Sequence, residues 1–447
     1  MEIEAWLARA AARAPERSAV EAPEGAWSYA ELLAGAEAGA EQLVARGAVA
    51  GQEVSIALPP GLAFAQALHA CLLMGAVAVP VDLRLASEER ARIEAGAALV
   101  VREPLELADG SAGPANVTHT HDLDATALIV HTSGTTAAPR PVRLTYGNLL
   151  WSALGSGVAL SVDPRERWLC ALPLSHVGGL SILMRSAIYA TTAIVHERFD
   201  TARMLSALRD DDVTLVSLVA TTLSRLLDAG LERPPALRCA LTGGGPVPGA
   251  LVARASAAGV PVSLTYGLTE TCSQVTTTPI YEVRESAGGE APSAGPALFC
   301  TRVRIAGDGE ILVSGPTVAS SAELRDGWLA TGDLGALDER GRLRVLGRKA
   351  DTIVSGGENV APAEVEAVLE AHPGVLEAAV LGREDEQWGE AVAAIVVARP
   401  GQDVEEHDLR EHCARSLAGY KVPKTFTITG ERLPRTASGK LLRRELA

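Results

Sequence analysis

Short apolar runs alternate with helix-like stretches over the first hundred residues of this chain, and that alternation leaves few folds open. Ser28 and Glu31 have the spacing of a capping box, which predicts a helix over Tyr29–Arg46. Strands are predicted over Val54–Leu58 and Val77–Val81, with a second helix between them. Strand, helix and strand in this order form βαβ units. We therefore expect an α/β fold built on parallel sheets.

The stretch Phe64–Leu83 is apolar and long enough to span a bilayer. It nevertheless contains Gln66, His69 and Asp82, so we interpret it as a buried helix that ends near Met74, followed by a strand. The acidic N-terminus lacks the basic and then apolar pattern of a signal peptide. These features predict a cytoplasmic protein without membrane insertion.

The remainder of the chain divides into further units. Four more apolar runs are interpreted as buried strands: Trp168–Leu174, Thr214–Val219, Leu237–Thr242 and Val262–Leu264. After Pro292, short strands separated by Gly and Asp favour an antiparallel subdomain. We predict a large N-terminal domain over 1–347, a hinge over 348–351 and a small, mobile α+β domain over 352–447.

Length and charge exclude several classes of protein. A chain of 447 residues is too long for one ordinary domain. The formal net charge of −15 argues against a general nucleic-acid binder, and an anionic substrate would need local basic groups. The six cysteines include no CxxC pair, and His119 with His121 lacks a nearby third ligand, so that pair is interpreted as part of a polar loop.

The segment from His131 to Pro141 is rich in hydroxyl groups and follows the apolar run Ala127–Val130. It contains five residues suited to binding an anion: Thr132, Ser133, Gly134, Thr135 and Thr136. Glycine permits a turn that aims backbone N–H groups at an anion, and a helix predicted from about Thr145 could present its positive end nearby. No Gly-Lys-Ser/Thr follows, so this is not a Walker A loop. Taken alone, the segment fits a polyphosphate loop and a surface turn equally well.

Motifs further along the chain separate these alternatives. The chain resembles the adenylate-forming superfamily of acyl-CoA synthetases, peptide-synthetase adenylation domains and luciferases. The resemblance covers nearly the whole chain and rests on six motifs in the order of that family: Thr132–Arg140, Tyr266–Thr271, Thr331–Asp333, Gly347–Asp351, Gly356–Asn359 and Pro434–Lys440. Within the superfamily, Leu172–Leu180, Gly243–Pro246 and Thr269–Gln274 are most similar to the o-succinylbenzoate–CoA ligases of menaquinone synthesis.

The resemblance implies ATP, Mg²⁺ and coenzyme A as co-substrates and cofactor, and a role for each matching residue. Lys440 would contact the attacking carboxylate and the α-phosphate, and Glu270 would act in catalysis as the ligand of Mg²⁺. The implied nucleotide and CoA contacts are Thr132–Thr136, Arg140, Gly243, Gly244, Gly245, Tyr266, Gly267, Thr269, Asp333, Arg348, Gly356 and Gly357. For Lys440, Glu270 and Tyr266, ordinary surface or core positions remain the alternative.

The acid substrate is expected to contact His176, Arg185 and Ser273. Arg185 lies in an apolar stretch, and a buried guanidinium requires an anion, such as the second carboxylate of o-succinylbenzoate. A structural ion pair is the alternative for Arg185, and simple packing is the alternative for His176.

The chain departs from the family pattern at Ala137, Arg140 and Pro141, where the family usually has Gly, Lys and Gly. The altered residues add a methyl group, a larger cation and a ring without an N–H, which leaves the pyrophosphate contacts in question. We therefore consider three functions: an o-succinylbenzoate–CoA ligase, a ligase for another aryl or medium-chain acid, and a weakened acyl-adenylate-binding protein. The partners are small molecules in each case, and a homo-oligomer is compatible with all three.

Overall fold

A computed structural model describes residues 1–106, 117–132, 140–283, 293–355, 357–385, 388–435 and 441–446. The first part of the chain forms β1 Glu2–Glu4, α1 Trp6–Arg13, β2 Ser18–Ala22, β3 Gly25–Ser28, α2 Tyr29–Ala45, β4 Glu53–Ile56, α3 Leu62–Leu73, β5 Val77–Pro80, α4 Ser87–Glu94, β6 Leu99–Val101, β7 Thr120–Asp122, β8 Thr126–Thr132 and β9 Arg140–Thr145.

The middle part continues the alternation of strands and helices. It forms α5 Tyr146–Leu160, β10 Arg167–Cys170, α6 Val177–Tyr189, β11 Thr192–Val195, α7 Thr201–Asp210, β12 Leu215–Leu218, α8 Ala220–Asp228, β13 Cys239–Thr242, α9 Gly249–Ala257, β14 Val262–Tyr266, β15 Thr276–Thr277 and α10 Ile280–Val283.

The last part is rich in strands. It forms β16 Arg302–Ile305, β17 Glu310–Ser314, β18 Leu324–Arg325, β19 Trp328–Leu337, β20 Leu343–Arg348, β21 Ile353–Ser355, β22 Glu358–Val360, α11 Pro362–Glu370, β23 Val375–Asp385, β24 Gly389–Ala398, α12 Glu406–Ser416 and β25 Thr425–Thr429.

Two parallel-rich sheets form the body of the large unit, which confirms the α/β prediction. One sheet has the order β6-β4-β5-β8-β9, and the other has the order β15-β14-β13-β12-β10-β11-β2-β3. Among the described strands of these two sheets, β9, β3 and β15 pair antiparallel and the others pair parallel. Side chains of α1, α2, α3, α5 and α6 form one core between the sheets, and α7, α8 and α9 cover the other face of the larger sheet.

The stretch that is long enough for a membrane lies inside this core. Helix α3 and strand β5 are buried, and Gln66 Nε2 donates to the backbone oxygen of Gly35 at 2.9 Å. A satisfied amide and neighbouring helices explain how this apolar stretch packs within the protein. Within the described ranges, no helix combines the length and apolar character that a membrane crossing requires.

The antiparallel subdomain and the small C-terminal unit are also confirmed. Strands β16 to β20 form one antiparallel sheet. Strands β21 to β25 form a mixed sheet, in which β25 pairs parallel with β24 and the other pairs are antiparallel, and α11 and α12 cover it. The chain passes from the first of these sheets to the second between Arg348 and Ile353, through the short turn Lys349–Asp351. A hinge within 348–351 and the exact domain boundaries stay predictions.

Two local predictions were wrong. Strand β9 follows the hydroxyl-rich segment, and its register pairs Thr132 with Arg140 and Thr126 with Thr145. Helix α5 therefore begins at the far end of this hairpin, and its positive end does not lie near the segment. His121 lies in β7, is buried and stacks on Tyr146 with ring centroids 4.4 Å apart, so it does not belong to a polar loop.

Candidate active site

The residues expected around the adenine lie at the carboxyl ends of β13 and β14, where α/β sheets bind ligands. Gly243 follows β13, and a Cβ atom there would lie 2.7 Å from the backbone oxygen of Thr265 on the neighbouring strand. Gly244 has φ +79, which also favours glycine. A Cβ on Gly245 would meet open space, so this turn leaves room against which a flat ring could lie.

Tyr266, Asp333 and Arg348 form one connected cluster. The hydroxyl of Tyr266 donates to Asp333 Oδ2 at 2.8 Å, and Arg348 Nε lies 2.9 Å from Asp333 Oδ1. Burial and the charge of Asp333 raise the pKa of the Tyr266 hydroxyl, so it remains a neutral donor. Arg348 reaches Asp333 because β19 and β20 pair these two residues directly. Three residues assigned to the nucleotide from separate motifs thus converge.

A tight turn carries Glu270 and Ser273. A Cβ on Gly267 would lie 1.5 Å from the backbone oxygen of Ser273, so only glycine fits at this position. Cys272 and Ser273 have φ +52 and +89, and such backbone strain in non-glycine residues is common at functional sites. The backbone oxygen of Glu270 accepts a hydrogen bond from Ala319 N at 2.8 Å. Its carboxylate is partly exposed and has no ion pair within the described part of the chain, which suits a metal ligand.

The hydroxyl-rich segment begins and ends at this same region. Residues 133–139, which include Ser133 to Thr136, lie outside the described residues, while Thr132 and Arg140 are paired at the base of the β8–β9 hairpin. Strand β9 contacts the turn Thr269–Thr271. Pro141 lies on β9, the edge strand of its sheet, where proline is tolerated.

Arg185 is buried on α6 with its charge incompletely paired. Its side chain is 2% exposed, and Nη2 donates to Ser152 Oγ at 3.3 Å. The guanidinium carbon lies 5.6 Å from the ring centre of Trp168, while Nε is buried without a hydrogen-bond partner. No carboxylate among the described residues forms an ion pair with it, which disfavours the structural alternative. Burial lowers the pKa of Arg185, as expected for a cation short of counter-charge.

Ser152 connects Arg185 to the strained turn. Its hydroxyl donates to the backbone oxygen of Cys272 at 2.6 Å, and Ser273 follows directly. Arg185 and Ser273, both assigned to the acid, are therefore close in space. Sequence reasoning missed Ser152 because one serine in an apolar helix has no recognisable pattern.

His176 precedes α6 and lies apart from Arg185. Its Nε2 is 3.9 Å from Asp82 Oδ2, a residue that sequence reasoning noted only as a polar interruption. Burial would raise the pKa of Asp82, but hydrogen bonds from Arg84 outweigh it and hold that pKa below its ordinary value. Asp82 is therefore an anion beside the imidazole.

In the small C-terminal unit, the structure describes only some of the expected site residues. Lys440 and Gly356 lie outside the described residues, and Gly357 has φ +86 in open space. Arg443, just beyond Lys440, contacts Glu366 Oε1 at 2.5 Å and Asp351 Oδ2 at 3.3 Å.

Taken together, the described residues form a polar cluster at the strand ends and a buried cationic corner. The cluster of Tyr266, Asp333 and Arg348 offers hydrogen bonds to vicinal hydroxyls, and Glu270 offers a carboxylate to a cation. No group of three or more His, Cys, Asp or Glu able to hold a metal occurs among the described residues.

The same conclusion about class comes from comparison with protein families. Residues 7–321 match the AMP-binding enzyme family, and residues 364–440 match the AMP-binding enzyme C-terminal domain. The chain is 38% identical over 477 residues to the 2-succinylbenzoate–CoA ligase of Bacillus subtilis, covering 99% of this chain and 97% of that relative. It is 39% identical over 480 residues to the ligase of the same name from Geobacillus kaustophilus, covering 99% and 96%.

Solved structures of the Bacillus subtilis o-succinylbenzoate CoA synthetase (MenE) are similar over the whole chain. Its complex with the acyl-adenylate intermediate OSB-AMP has a TM-score of 0.89 at 38% identity, covering 100% of this chain and 98% of that one. Its complex with ATP and magnesium ion has a TM-score of 0.88 at 37% identity, covering 100% of both. A double mutant bound with the product analogue OSB-NCoA has a TM-score of 0.74 at 38% identity, covering 100% and 98%.

Proposed function

This chain belongs to the AMP-binding enzyme family, and on that premise we propose that it is an AMP-forming acid–CoA ligase. The reaction converts 2-succinylbenzoate, ATP and CoA into 2-succinylbenzoyl-CoA, AMP and diphosphate. Full-length relatives at 38–39% identity carry this activity in their names. The single structural observation that carries the choice of acid is the buried, incompletely paired guanidinium of Arg185, because 2-succinylbenzoate has a second carboxylate that does not react.

The first half-reaction forms the acyl-adenylate. A carboxylate oxygen of the acid attacks the α-phosphorus of ATP, the bond between that phosphorus and the oxygen bridging to the β-phosphate breaks, and diphosphate leaves. Negative charge increases around the phosphorus, so preorganised cations lower the barrier. We assign Lys440 to this task from its motif. Glu270 would hold Mg²⁺, which when bound neutralises charge on the phosphate oxygens.

The nucleotide is positioned by the cluster at the strand ends. Asp333 would accept hydrogen bonds from the ribose hydroxyls, and Arg348 keeps that carboxylate oriented. Tyr266 and Gly243–Gly245 would flank the adenine. The turn of Gly267 and Thr269 and the segment from Thr132 to Arg140 would contact the phosphates.

The acid is positioned by the corner around Arg185. The guanidinium would form a paired hydrogen bond with the second carboxylate and so complete its own Nε. Ser273 lies beside that corner, and His176 with Asp82 would line the pocket on the other side.

The second half-reaction transfers the acyl group to CoA. The thiolate attacks the acyl carbon, the bond from that carbon to the phosphate oxygen breaks, and AMP leaves. We propose that 352–447 rotates about 348–351 for this step, with Gly356 and Gly357 beside the pantetheine. The TM-scores of 0.89 for the acyl-adenylate complex and 0.74 for the OSB-NCoA complex support two arrangements, of which this structure resembles the former. We also propose a cytoplasmic location, on the sequence features given above.

Diphosphate release across a panel of acids tests this proposal. We expect release with ATP, Mg²⁺ and 2-succinylbenzoate, and little with benzoate or a medium-chain fatty acid. Lys440→Ala should abolish release but retain thioester formation from supplied acyl-adenylate. Lys424→Ala is the matched control, since that lysine lies over the Trp388 ring in the same unit.

The possible failures of this assay differ in meaning. Release with benzoate or a fatty acid but not with 2-succinylbenzoate would show that the acid is wrong. No release with any acid would remove the enzyme class. Equal loss of both half-reactions in Lys440→Ala would contradict the role of that lysine.

A further inference from the structure

Helix α5 has a buried polar face that contacts the region of the strained turn carrying Glu270 and Ser273. Asn148 and Ser152 are four residues apart, so they lie on the same face of this helix. Both are buried, and Ser152 is 2% exposed. Burying a polar side chain costs free energy unless it forms hydrogen bonds, so the partners of these two residues indicate what the face does.

The hydroxyl of Ser152 uses its single proton on the turn. It donates to the backbone oxygen of Cys272 at 2.6 Å, and that oxygen accepts no other hydrogen bond among the described residues. Cys272 is buried, has φ +52 and lies outside the helices and strands, so its carbonyl has no partner in regular secondary structure. Ser152 therefore helps to hold the turn in its strained conformation.

The same hydroxyl oxygen accepts a hydrogen bond from the guanidinium of Arg185. Nη2 of Arg185 donates to Ser152 Oγ at 3.3 Å, so Arg185, Ser152 and the Cys272 carbonyl form one chain of two hydrogen bonds, which strengthen each other. Nη2 carries two N–H groups, and Ser152 takes one of them. The second N–H of Nη2 and the unpartnered N–H of Nε belong to the same side of the guanidinium. Ser152 thus fixes the direction in which this pair of donors faces.

Two groups of the fold together determine the orientation of that guanidinium. Its central carbon lies 5.6 Å from the ring centre of Trp168, and the ring is itself fixed because Nε1 donates to Ser217 Oγ at 3.0 Å. The ring limits the position of the guanidinium, and the hydrogen bond to Ser152 limits its rotation. Among the described residues, Ser152 is the only hydrogen-bond partner of the Arg185 side chain.

Asn148 connects the same helix to the other side of the turn. Its Nδ2 donates to the backbone oxygens of Pro316 and Val318 at 2.8 and 3.1 Å. The next residue, Ala319, donates through its backbone N to the backbone oxygen of Glu270 at 2.8 Å. Helix α5 therefore supports the turn at two points, and a site supported by a helix is held more precisely than one on a loop alone.

We propose that Ser152 is a positioning residue for the acid substrate. It orients the Arg185 guanidinium toward the unreactive carboxylate and holds that guanidinium in a fixed place relative to the turn of Glu270 and Ser273. Because one hydroxyl contacts both parts, an acid bound to Arg185 is also placed relative to the turn. This inference rests on the proposed function and adds to it a residue that lies in none of the family motifs.

Ser152→Ala tests the inference through the kinetics of diphosphate release with 2-succinylbenzoate. We expect the KM for the acid to rise roughly 3- to 10-fold, the worth of one hydrogen bond. The kcat should also fall, because the turn loses the partner of the Cys272 oxygen. A smaller fraction of folded enzyme would lower kcat alone, so the KM separates positioning from a merely structural role. Ser186→Ala is the matched control, since Ser186 is also 2% exposed but its hydroxyl has no hydrogen-bond partner among the described residues. It should leave both constants unchanged.

The same substitution in an Arg185→Met background shows whether Ser152 acts through the arginine. Without a guanidinium to orient, Ser152→Ala should no longer change the KM for the acid, while kcat should still fall because the contact with the turn does not involve Arg185. An equal rise in KM in both backgrounds, or an equal rise in Ser186→Ala, would overturn the inference.

The failure of this inference can be told apart from the failure of the proposed function. A wild type that releases diphosphate with 2-succinylbenzoate, together with an unchanged KM in Ser152→Ala, would refute the role of Ser152 and leave the function standing. A wild type that does not use 2-succinylbenzoate would remove the proposed acid and, with it, the role of Ser152. Circular dichroism and thermal melting establish folding, and Ser152→Cys, which keeps the size but weakens the hydrogen bond, replaces Ser152→Ala if that variant does not fold.

Discussion

Two arginines of the large unit differ in how completely their guanidinium groups are paired. Arg238 donates through Nε to Glu166 Oε1 at 2.5 Å, and its two terminal nitrogens donate to the backbone oxygens of Leu160 and Ser161 at 2.7 and 2.9 Å. Among the described residues, Arg185 has one hydrogen bond at 3.3 Å and a buried Nε without a partner. The first guanidinium is completed by the fold. The second is not completed by the described residues.

The difference matters because an unpaired buried cation destabilises the folded chain. Burying a charge without its counter-charge costs several kcal/mol, and proteins keep such groups mainly where function requires them. Arg238 should therefore be worth most to stability, and Arg185 should be worth most to substrate binding. Measuring both the free energy of unfolding and substrate binding for variants of these two arginines tests the comparison most directly.

Removing Arg238 should have the largest effect. Arg238→Met leaves Glu166 buried without its cation, and we expect a loss of about 3–5 kcal/mol in the free energy of unfolding. Urea unfolding measures it. The double variant Glu166→Gln with Arg238→Met is the control, since it removes both charges and should regain part of the loss. A loss below about 1 kcal/mol in the single variant would place Arg238 and Arg185 in the same class.

Removing Arg185 should change binding and leave stability intact. We expect Arg185→Met to unfold at the same urea concentration as the wild type or a higher one, because it deletes an incompletely paired charge. The kcat/KM for 2-succinylbenzoate should fall roughly 30- to 150-fold, the worth of about 2–3 kcal/mol of charged hydrogen bonds. The KM for ATP should stay unchanged.

Arg185→Lys is the conservative partner of that experiment. It keeps the charge but loses the fork geometry, so it should recover only part of the loss. An unchanged KM for the acid in Arg185→Met, or a large loss of stability, would show that this arginine serves the fold as Arg238 does.

These two arginines also show how far sequence reasoning reaches. An arginine in an apolar stretch predicts burial, and motif order predicts which chemistry surrounds it. The completion of a guanidinium depends on partners distant in the chain, such as Ser152 for Arg185 and Glu166 for Arg238. Such partners have no local pattern and become visible only when strands and helices are assembled.

The same limit explains the wrong prediction beyond the hydroxyl-rich segment. Strand β9 has only two buried apolar residues, Val142 and Leu144, among exposed Arg and Pro. An alternating pattern this short does not distinguish a strand from a loop. Proline also argues against a strand unless the strand is known to lie at the edge of a sheet. By contrast, α2, α3 and β5 were predictable because their caps and apolar runs are local.

The comparison extends to carboxylates in the small unit. Glu377 is buried with Arg432 Nη1 at 2.5 Å and Arg435 Nη2 at 3.0 Å. Glu370 is partly buried, and its Oε1 accepts a hydrogen bond from Ala378 N at 3.4 Å. It forms no ion pair in the described ranges. Burial, with the nearby charge of Glu366, raises the pKa of Glu370 to about 7.

Glu370 should therefore give the smallest of the three effects, visible as a pH dependence. The folded chain holds this proton up to about pH 7, while the unfolded chain releases it near pH 4.5, so the carboxyl costs stability as pH rises between those values. Glu370→Gln should lack this decline and exceed the wild type by about 1–2 kcal/mol at pH 8, since partial exposure screens the full shift. Glu377→Gln, which breaks two ion pairs, should lower stability at the same pH. A Glu370→Gln protein that is less stable than the wild type at pH 8 would mean that this carboxylate, like Glu377, is already paired.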